Sequence, residues 1–223
     1  MLFLSEAMPE EMKVNLPLHP VRFLAPFAEL SLPVASHPDM LLFPTGNELI
    51  VPKRYYEDNP SLFDGISLAV TDEIFRGGYP NEVRLNALRV RETVFGHEKA
   101  LSPLIRDRFR IVNVKQGYAR CSVCMVDEDH FITADPSLFK ALREKRKDVL
   151  SVSPGFINLP GYETGFIGGA SFSFANAIYF FGDLFRHPDG KRMADYIEKS
   201  GKTPICLGKR DLVDLGGAVF VGE

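Results

Sequence analysis

The chain has 223 residues, of which 45% are hydrophobic and 25% charged, and 26 basic against 29 acidic residues leave a net charge of −3. This composition is typical of a globular protein. A charge so close to zero, without a basic run, excludes charge-driven binding to nucleic acid or to an anionic membrane surface. A chain of this length buries roughly 70–75% of its unfolded surface, and we predict a single domain over residues 1–223.

The amino terminus, the apolar runs and the cysteines exclude several other classes of protein. The amino terminus lacks a cationic leader, and the longest apolar runs, such as residues 177–181, are far shorter than the roughly 20 residues of a membrane helix. We therefore expect a cytoplasmic protein. Cys121, Cys124 and Cys206 are an odd number in a chain this long, which is no disulfide framework. Cys121 and Cys124 form a C-x-x-C motif without a second ligand pair, so we predict neither a metal site nor a cofactor.

Five polar or glycine-rich segments each lead directly into an apolar, strand-like stretch. They begin near positions 37, 79, 118, 166 and 214, at separations of 42, 39, 48 and 48 residues. A period of this size is typical of a repeated supersecondary unit.

The first two intervals predict the same order of elements. Residues 40–43 and 48–51 are predicted strands, followed by a helix over 53–59 and a strand over 66–70. In the second interval the strands are 87–90, 93–95 and 110–114, with a helix over 98–107. Each unit is therefore strand, strand, helix, strand.

The third and fourth intervals repeat this order. Strands over 122–126, 130–133 and 148–152 surround a helix that Asp135 caps and Pro136 begins. Strands over 170–174, 177–181 and 203–207 surround a helix over 189–199, where we expect Asp189 to be the cap and His187 to lie at the surface.

The last segment leads only to a strand over 218–221, while the first 36 residues, including an apolar stretch at 21–24, belong to no unit. Pairing the terminal strand with the amino-terminal segment would complete a fifth unit, close a ring and remove exposed sheet edges. The alternative is an open α+β sheet with strands and helices in irregular order.

Five ββαβ units around one axis resemble the pentein, or guanidine-group-modifying, fold, an α/β propeller. That fold is found in amidinotransferases, arginine and agmatine deiminases, dimethylarginine hydrolases and a non-enzymatic ribosome anti-association factor. Residues 37–221 also look like a bacterial family of this fold whose activity is not established. The segments that carry the resemblance are Ser36-His37-Pro38-Asp39-Met40, Tyr79-Pro80 with Leu85-Asn86, Gln116-Gly117-Tyr118 with Cys121-Ser122, residues 165–170, Gly182-Asp183 with residues 187–189, and Asp214-Leu215-Gly216.

The resemblance implies where a site would lie. In enzymes of this fold the segments before the innermost strands converge on the axis, where a cysteine thiolate attacks a guanidinium carbon, a histidine moves protons and carboxylates hold the cation. Here those segments carry a nucleophile, a base and carboxylates. We predict catalytic roles for Cys121 as nucleophile, His37 as proton shuttle and Asp39 as cation anchor. The predicted substrate-binding residues are Asn86, Arg120, Ser122, Gly168, Gly169 and Asp214.

The sequence also departs from those enzymes. Their cysteine lies in the last unit, whereas residues 214–219 contain none, and their histidine comes from a middle unit instead of the first. Cys121 is equally compatible with a buried core residue, and Gly168 and Gly169 with close packing instead of N–H donation to a ligand. Arg120 suits an anionic group better than a cation.

Two functions remain. The first is a hydrolase or transferase at a C–N bond of a guanidine- or amidine-type compound. The second is a non-catalytic binding protein of the same fold, for a small ligand or a macromolecule, which a rim of exposed aromatic residues would favour.

Overall fold

The computed structural model describes residues 1–222, which form short helices and six small sheets. The α-helices are α1 (Glu10–Lys13), α2 (Pro38–Leu41), α3 (Lys53–Asp58), α4 (Pro103–Arg106), α5 (Pro136–Glu144) and α6 (Gly190–Lys199). The strands are β1 (Leu2–Ser5), β2 (Val21–Leu24), β3 (Phe43–Pro44), β4 (Leu49–Pro52), β5 (Leu68–Thr71), β6 (Leu88–Val90), β7 (Thr93–Gly96), β8 (Arg110–Asn113), β9 (Val123–Met125), β10 (His130–Thr133), β11 (Asp148–Ser151), β12 (Ile157–Asn158), β13 (Ser171–Phe174), β14 (Ala177–Phe180), β15 (Thr203–Cys206), β16 (Leu212–Val213) and β17 (Val219–Phe220). Three short 3₁₀ helices cover Leu32–Val34, Pro60–Phe63 and Leu184–Arg186.

Five of the sheets have three strands and share one pairing pattern. The first strand pairs antiparallel with the second, and the second pairs parallel with the third after a crossover that contains a helix. In the sheet β9-β10-β11, for example, Ile132 lies opposite Cys124 on one side and Leu150 on the other. Parallel neighbours need such a crossover because the end of one strand and the start of the next lie at opposite edges of the sheet.

The fifth of these sheets joins the two ends of the chain. Phe3 of β1 lies opposite Val219 of β17 in an antiparallel pair and opposite Arg22 of β2 in a parallel pair. The carboxy-terminal strand therefore pairs with the amino-terminal segment, as predicted from the first 36 residues, which belong to no repeated unit. Strands β12 and β16 form a separate two-stranded parallel sheet.

Helices α5 and α6 begin differently, although an aspartate precedes each. The Asp135 carboxylate accepts the Leu138 N–H at 2.8 Å, which is the predicted N-cap. Asp189 instead accepts the Ser153 N–H at 2.7 Å and leaves its helix without a side-chain cap. Asp189 therefore occupies the predicted N-cap position, but its side chain does not cap the helix. The predicted surface position of His187 is wrong, since this residue is only 3% exposed.

Two other predicted elements differ from those observed. Residues 40–43 do not form a strand, because Pro38 begins a one-turn helix after the extended His37, and strand pairing starts only at Phe43. The helix predicted over 98–107 is restricted to α4, where the Ser102 hydroxyl accepts the Leu104 N–H.

The buried hydrophobic side chains form four clusters between the sheets and their helices. The predicted α/β class is confirmed. Within residues 1–222 no sheet closes on itself, and the placement of the five sheets around one axis stays a prediction. No helix in this part of the chain is long and apolar enough to cross a membrane.

Candidate functional site

Five segments, each directly before the first strand of a three-stranded sheet, meet in a ring of hydrogen bonds. They bring together residues that are distant in the sequence and buried in the structure. The contacts are Asp39 N–H to Gly216 C=O (3.3 Å), Gly217 N–H to Gly169 C=O (2.8 Å), Gly169 N–H to Cys121 C=O (2.9 Å), Cys121 N–H to Asn86 Oδ1 (3.3 Å) and Asn86 Nδ2–H to Met40 Sδ (3.2 Å). We call the side chains of His37, Asp39, Asn86, Cys121 and Asp214 the Cys121 cluster.

The Cys121 thiol lies between a carboxyl group and an amide. Its Sγ atom is 2.8 Å from Asp39 Oδ2, to which it donates, and it accepts a hydrogen bond from Asn86 Nδ2 at 3.0 Å. Burial, followed by the negative charges of Asp39 and Asp214, raises the pKa of this thiol well above its usual value. In the free protein Cys121 is therefore a neutral thiol at neutral pH.

Asp39 has one oxygen engaged and one free. Oδ2 accepts the thiol, while Oδ1 is buried without a hydrogen-bond partner. Burial and the charge of Asp214 raise the pKa of Asp39 to about 7. A buried acceptor without a donor is costly, so this oxygen marks a place for a ligand with N–H or O–H groups.

Asp214 and His37 form the other half of the cluster. Asp214 accepts backbone N–H groups from Phe166 (2.9 Å) and Gly216 (3.0 Å), and its pKa is raised to about 6 by burial. His37 Nδ1 is 3.7 Å from Asp214 Oδ1, beyond hydrogen-bond distance. Burial lowers the pKa of His37 to about 3, so the ring is a neutral imidazole beside a carboxyl group.

The predicted proton shuttle is not hydrogen-bonded to the predicted nucleophile. The thiol of Cys121 has hydrogen bonds with Asp39 and Asn86, and none with His37. Of the two candidates for accepting the thiol proton, the geometry favours Asp39.

Arg120 and Asp39 line a cavity of about 220 Å³ together with side chains of the first strands of the sheets. The backbone N–H of Arg120 donates to Asn86 Oδ1 at 2.8 Å, and its guanidinium donates to the Val123 carbonyl at 3.2 Å. The half-exposed Phe220 also lines the cavity, which therefore reaches from Asp39 toward the surface.

The remaining predicted binding residues have structural contacts. The Ser122 hydroxyl donates to the Tyr118 carbonyl at 2.8 Å. The Gly169 N–H already donates to Cys121, and a Cβ atom at Gly168 would lie 2.3 Å from the Val123 carbonyl oxygen. These glycines allow close contact between segments, which was the alternative interpretation of the pair.

A row of aromatic side chains near the cluster was missed by the sequence analysis. Tyr79, which is 52% exposed, Tyr118 and Phe166 have successive ring centroids 6.2 and 5.9 Å apart. The Tyr118 hydroxyl donates to Glu82 Oε1 at 2.5 Å. Glu82 lies in a turn and has no motif around it, so no spacing in the sequence could have identified it.

The second cysteine of the C-x-x-C motif does not join the cluster. Cys124 is buried on β9, and burial raises the pKa of its thiol to about 11. Among residues 1–222 there is no group of three or more His, Cys, Asp or Glu side chains that could hold a metal ion.

The three thiols should differ in reactivity. Alkylation with iodoacetamide between pH 6 and 9, followed by mass spectrometry, measures the rate at each cysteine. We expect the half-buried Cys206 to react first and the buried Cys121 and Cys124 to react only when denaturant unfolds the chain. Selective alkylation of Cys121 with an apparent pKa below the roughly 8.5 of a free thiol would contradict the neutral, enclosed thiol.

The fold and the cluster together define an α/β protein with a buried thiol–carboxyl site. The chain belongs to a family of unknown function (DUF6873), whose model matches residues 3–219. No curated protein matches it.

Solved structures are similar to the chain at low sequence identity. The amidinotransferase SxtG from Microseira wollei, of the saxitoxin biosynthetic pathway, has a TM-score of 0.50 and 14% identity over 84% of this chain and 70% of that one. The agmatine deiminase of C. jejuni has a TM-score of 0.49 and 10% identity over 74% of this chain and 63% of that one. A variant of that enzyme with substrate bound has a TM-score of 0.50 and 11% identity, over 74% and 64%.

This chain thus spans less than two thirds of the agmatine deiminase. The likeness to the amidinotransferase and to the substrate-bound variant confirms the predicted resemblance to the pentein fold. At such identities it concerns the fold alone.

Proposed function

We propose that this protein is a single domain whose five three-stranded sheets surround one axis, with the Cys121 cluster at that axis as a small-molecule site. Its ligand is a guanidine- or amidine-type compound, and its reaction is hydrolysis or group transfer at a C–N bond of that compound. The ring of hydrogen bonds between the five segments supports the axial arrangement.

One observation carries the proposal. The Cys121 thiol donates to the Asp39 carboxyl group, and the second oxygen of that group is buried without a partner. A flat cation with several N–H groups would satisfy this oxygen and neutralise the carboxylate. The same cation would lie beside Sγ, where its charge lowers the pKa of the thiol that burial has raised.

The reaction uses this contact for proton transfer. Sγ of Cys121 attacks the amidine carbon and forms an S–C bond, while the thiol proton passes to Asp39. The C–N bond then breaks, and the departing amine takes that proton. Water attacks the carbon of the resulting S-amidino thioether, the S–C bond breaks, and the thiol regains a proton. A guanidine yields a urea-type compound and an amine or ammonia, and an amidine yields an amide and an amine or ammonia. When an amine replaces water, the same steps transfer the group.

Asp39 and Arg120 bind different ends of the ligand. A pKa of about 7 makes Asp39 an effective base near neutral pH. Arg120 lines the same cavity and supports an anionic end of the substrate, such as a carboxylate. Asp214, which accepts two backbone N–H groups, holds its segment in place and adds negative charge near the cation.

The test is a panel of methylguanidine, acetamidine, agmatine and arginine, assayed for binding by thermal shift and for release of amine or ammonia. We expect at least one compound to bind and react, and Cys121→Ala to reduce turnover to background. Cys124→Ala is the matched control, since Cys124 is an equally buried thiol on the adjoining strand, and it should retain most of the turnover. If no compound binds or reacts, the proposal is wrong.

The second candidate is a binding protein without catalysis. Two observations favour it: the thiol is enclosed with a raised pKa, and the exposed Tyr79 extends an aromatic row toward the surface. In that case a compound of the panel binds, none reacts, and Cys121→Ala leaves its affinity unchanged.

A further inference from the structure

A second cavity, of about 210 Å³, lies between the segments that flank α5 and the turn that precedes α6, and it shares no lining residue with the cavity of Asp39 and Arg120. Neither His37, Asp39 nor Cys121 lines it. The side chain of His187 does, and its Nε2 atom is buried without a hydrogen-bond partner. A buried polar atom of this kind requires an explanation.

The surrounding backbone determines which nitrogen of His187 carries the proton. The Asp189 N–H donates to Nδ1 at 3.0 Å, so Nδ1 is an acceptor and the neutral ring has its proton on Nε2. Burial lowers the pKa of His187, which keeps the ring neutral at pH 7. The Ser153 carbonyl lies near the imidazole, but no acceptor meets Nε2 with hydrogen-bond geometry. His187 therefore presents one unused N–H donor.

Two hydroxyl groups of the cavity can accept a further hydrogen bond. The Ser122 hydroxyl already donates to a carbonyl, and the Thr164 hydroxyl donates to the Ile157 carbonyl at 3.2 Å, which leaves lone pairs on both oxygens. Asp135 is occupied by the Leu138 N–H and by Gln116, but its carboxylate repels an anion. No lysine or arginine of the described chain lines this cavity.

Most of the wall is apolar. The contributing residues include Val152, Pro154, Ile157 and Ile167. Next to His187, the side chain of Phe156 is 61% exposed, and its ring is edge-on to the imidazole at a centroid distance of 5.5 Å. An aromatic ring in the cavity would be enclosed by these side chains.

We propose that this cavity binds a small neutral molecule with an aromatic or compact apolar body and one carbonyl-type oxygen, which accepts the Nε2–H of His187. N–H or O–H groups on the ligand donate to the hydroxyl oxygens of Ser122 and Thr164. The proposal does not depend on the reaction at Cys121. Its ligand class is also different, because the Cys121 cluster takes a cation.

Three isosteric probes test the charge requirement: benzamide, benzoate and benzamidine. Titration is followed by the side-chain ¹⁵N signals of histidine. We expect benzamide to shift the Nε2 signal of His187 saturably. Benzoate should be repelled by Asp135, and benzamidine lacks an acceptor for the Nε2–H, so neither should shift it. A benzamidine effect confined to His37 would report on the Cys121 cluster instead.

Two variants test the role of the donor. His187→Asn keeps an oxygen near the position of Nδ1 for the Asp189 N–H and removes the Nε2–H, so it should weaken benzamide binding about 5–10-fold. His187→Gln keeps an N–H near the position of Nε2 and should bind within about threefold of the wild type. For these variants binding is measured by the backbone amide shifts of the cavity wall. Equal affinity of the wild type and His187→Asn, or no benzamide binding by a folded wild type, overturns the proposal.

Discussion

Replacing Asp39 with asparagine should make the protein more stable at pH 8, by about 2–4 kcal/mol, while reducing its affinity for a guanidinium compound at least about tenfold. The substitution removes a buried negative charge without changing the shape of the side chain. The amide oxygen can still accept the Cys121 thiol, which donates to the carboxyl group in the wild type.

The direction of this change follows from the raised pKa. Asp39 titrates near 7 when folded and near 3.8 when unfolded, so between these values the folded protein holds a proton that the unfolded chain has lost. Stability from this group is therefore greatest at low pH and falls as pH rises from 4 to 7. Asp214, raised to about 6, contributes in the same direction up to that pH.

His37 acts in the opposite direction. Its pKa of about 3 in the folded state lies below the 6.5 of the free side chain, so acidification below 6.5 favours the unfolded chain. His187, whose pKa is also lowered by burial, acts in the same direction as His37. The contribution of Asp39 is therefore isolated by comparing the variant with the wild type: from pH 5 to pH 8, Asp39→Asn should gain stability relative to the wild type.

Urea unfolding at pH 5 and pH 8 measures the stability of the wild type and of Asp39→Asn at each pH. Asp72→Asn serves as the control, because the side chain of Asp72 is 78% exposed, and it should leave the pH dependence unchanged. A destabilisation by Asp39→Asn of equal size at both pH values would contradict the inference that the buried Asp39 carboxylate destabilises the folded protein when it is charged. Greater stability together with weaker binding is the behaviour expected of a functional site.

The repeated order of elements could be predicted from the sequence because it depends on local signals. Turn residues, alternating apolar residues and the Asp135-Pro136 helix start all act within a few residues, and β10, α5 and β11 lie where these signals place them. The pairing of β1 with β17 follows from one incomplete unit and one unused strand. The apolar run of residues 40–43 wrongly predicted a strand. A one-turn helix that begins at Pro38 occupies the start of this run, because a short apolar run does not distinguish a strand from a helix.

The site could be predicted only as a set of segments. Spacing indicates that the segments of Asp39, Asn86, Cys121 and Asp214 converge, and the hydrogen bonds between them agree. Which groups touch depends on side-chain directions at the ends of five separate strands, and these are fixed by packing. For this reason the sequence could not show that Asp39, and not His37, accepts the thiol.

A glycine packed against the Cys121 segment leads to the second large effect. We expect Gly168→Ala to destabilise the protein by about 3–5 kcal/mol, because overpacking against rigid atoms cannot relax. A Cβ atom at this position would lie 2.3 Å from the Val123 carbonyl oxygen and 2.5 Å from that of Cys121. Both are backbone atoms of the Cys121 segment, so the segment of Gly168 must move away from it.

Gly208→Ala is the matched control for this substitution. Neither glycine has a positive φ, but at Gly208 the atom closest to the new methyl group is the flexible end of the Met12 side chain, at 3.1 Å. We expect this change to cost less than about 1 kcal/mol. Urea unfolding compares the two variants, and equal stabilities would mean that the segments around Cys121 are not closely packed. If Gly168→Ala folds at low temperature, its Cys121 should alkylate faster than in the wild type, since the segment that is hydrogen-bonded to the Cys121 backbone has been displaced.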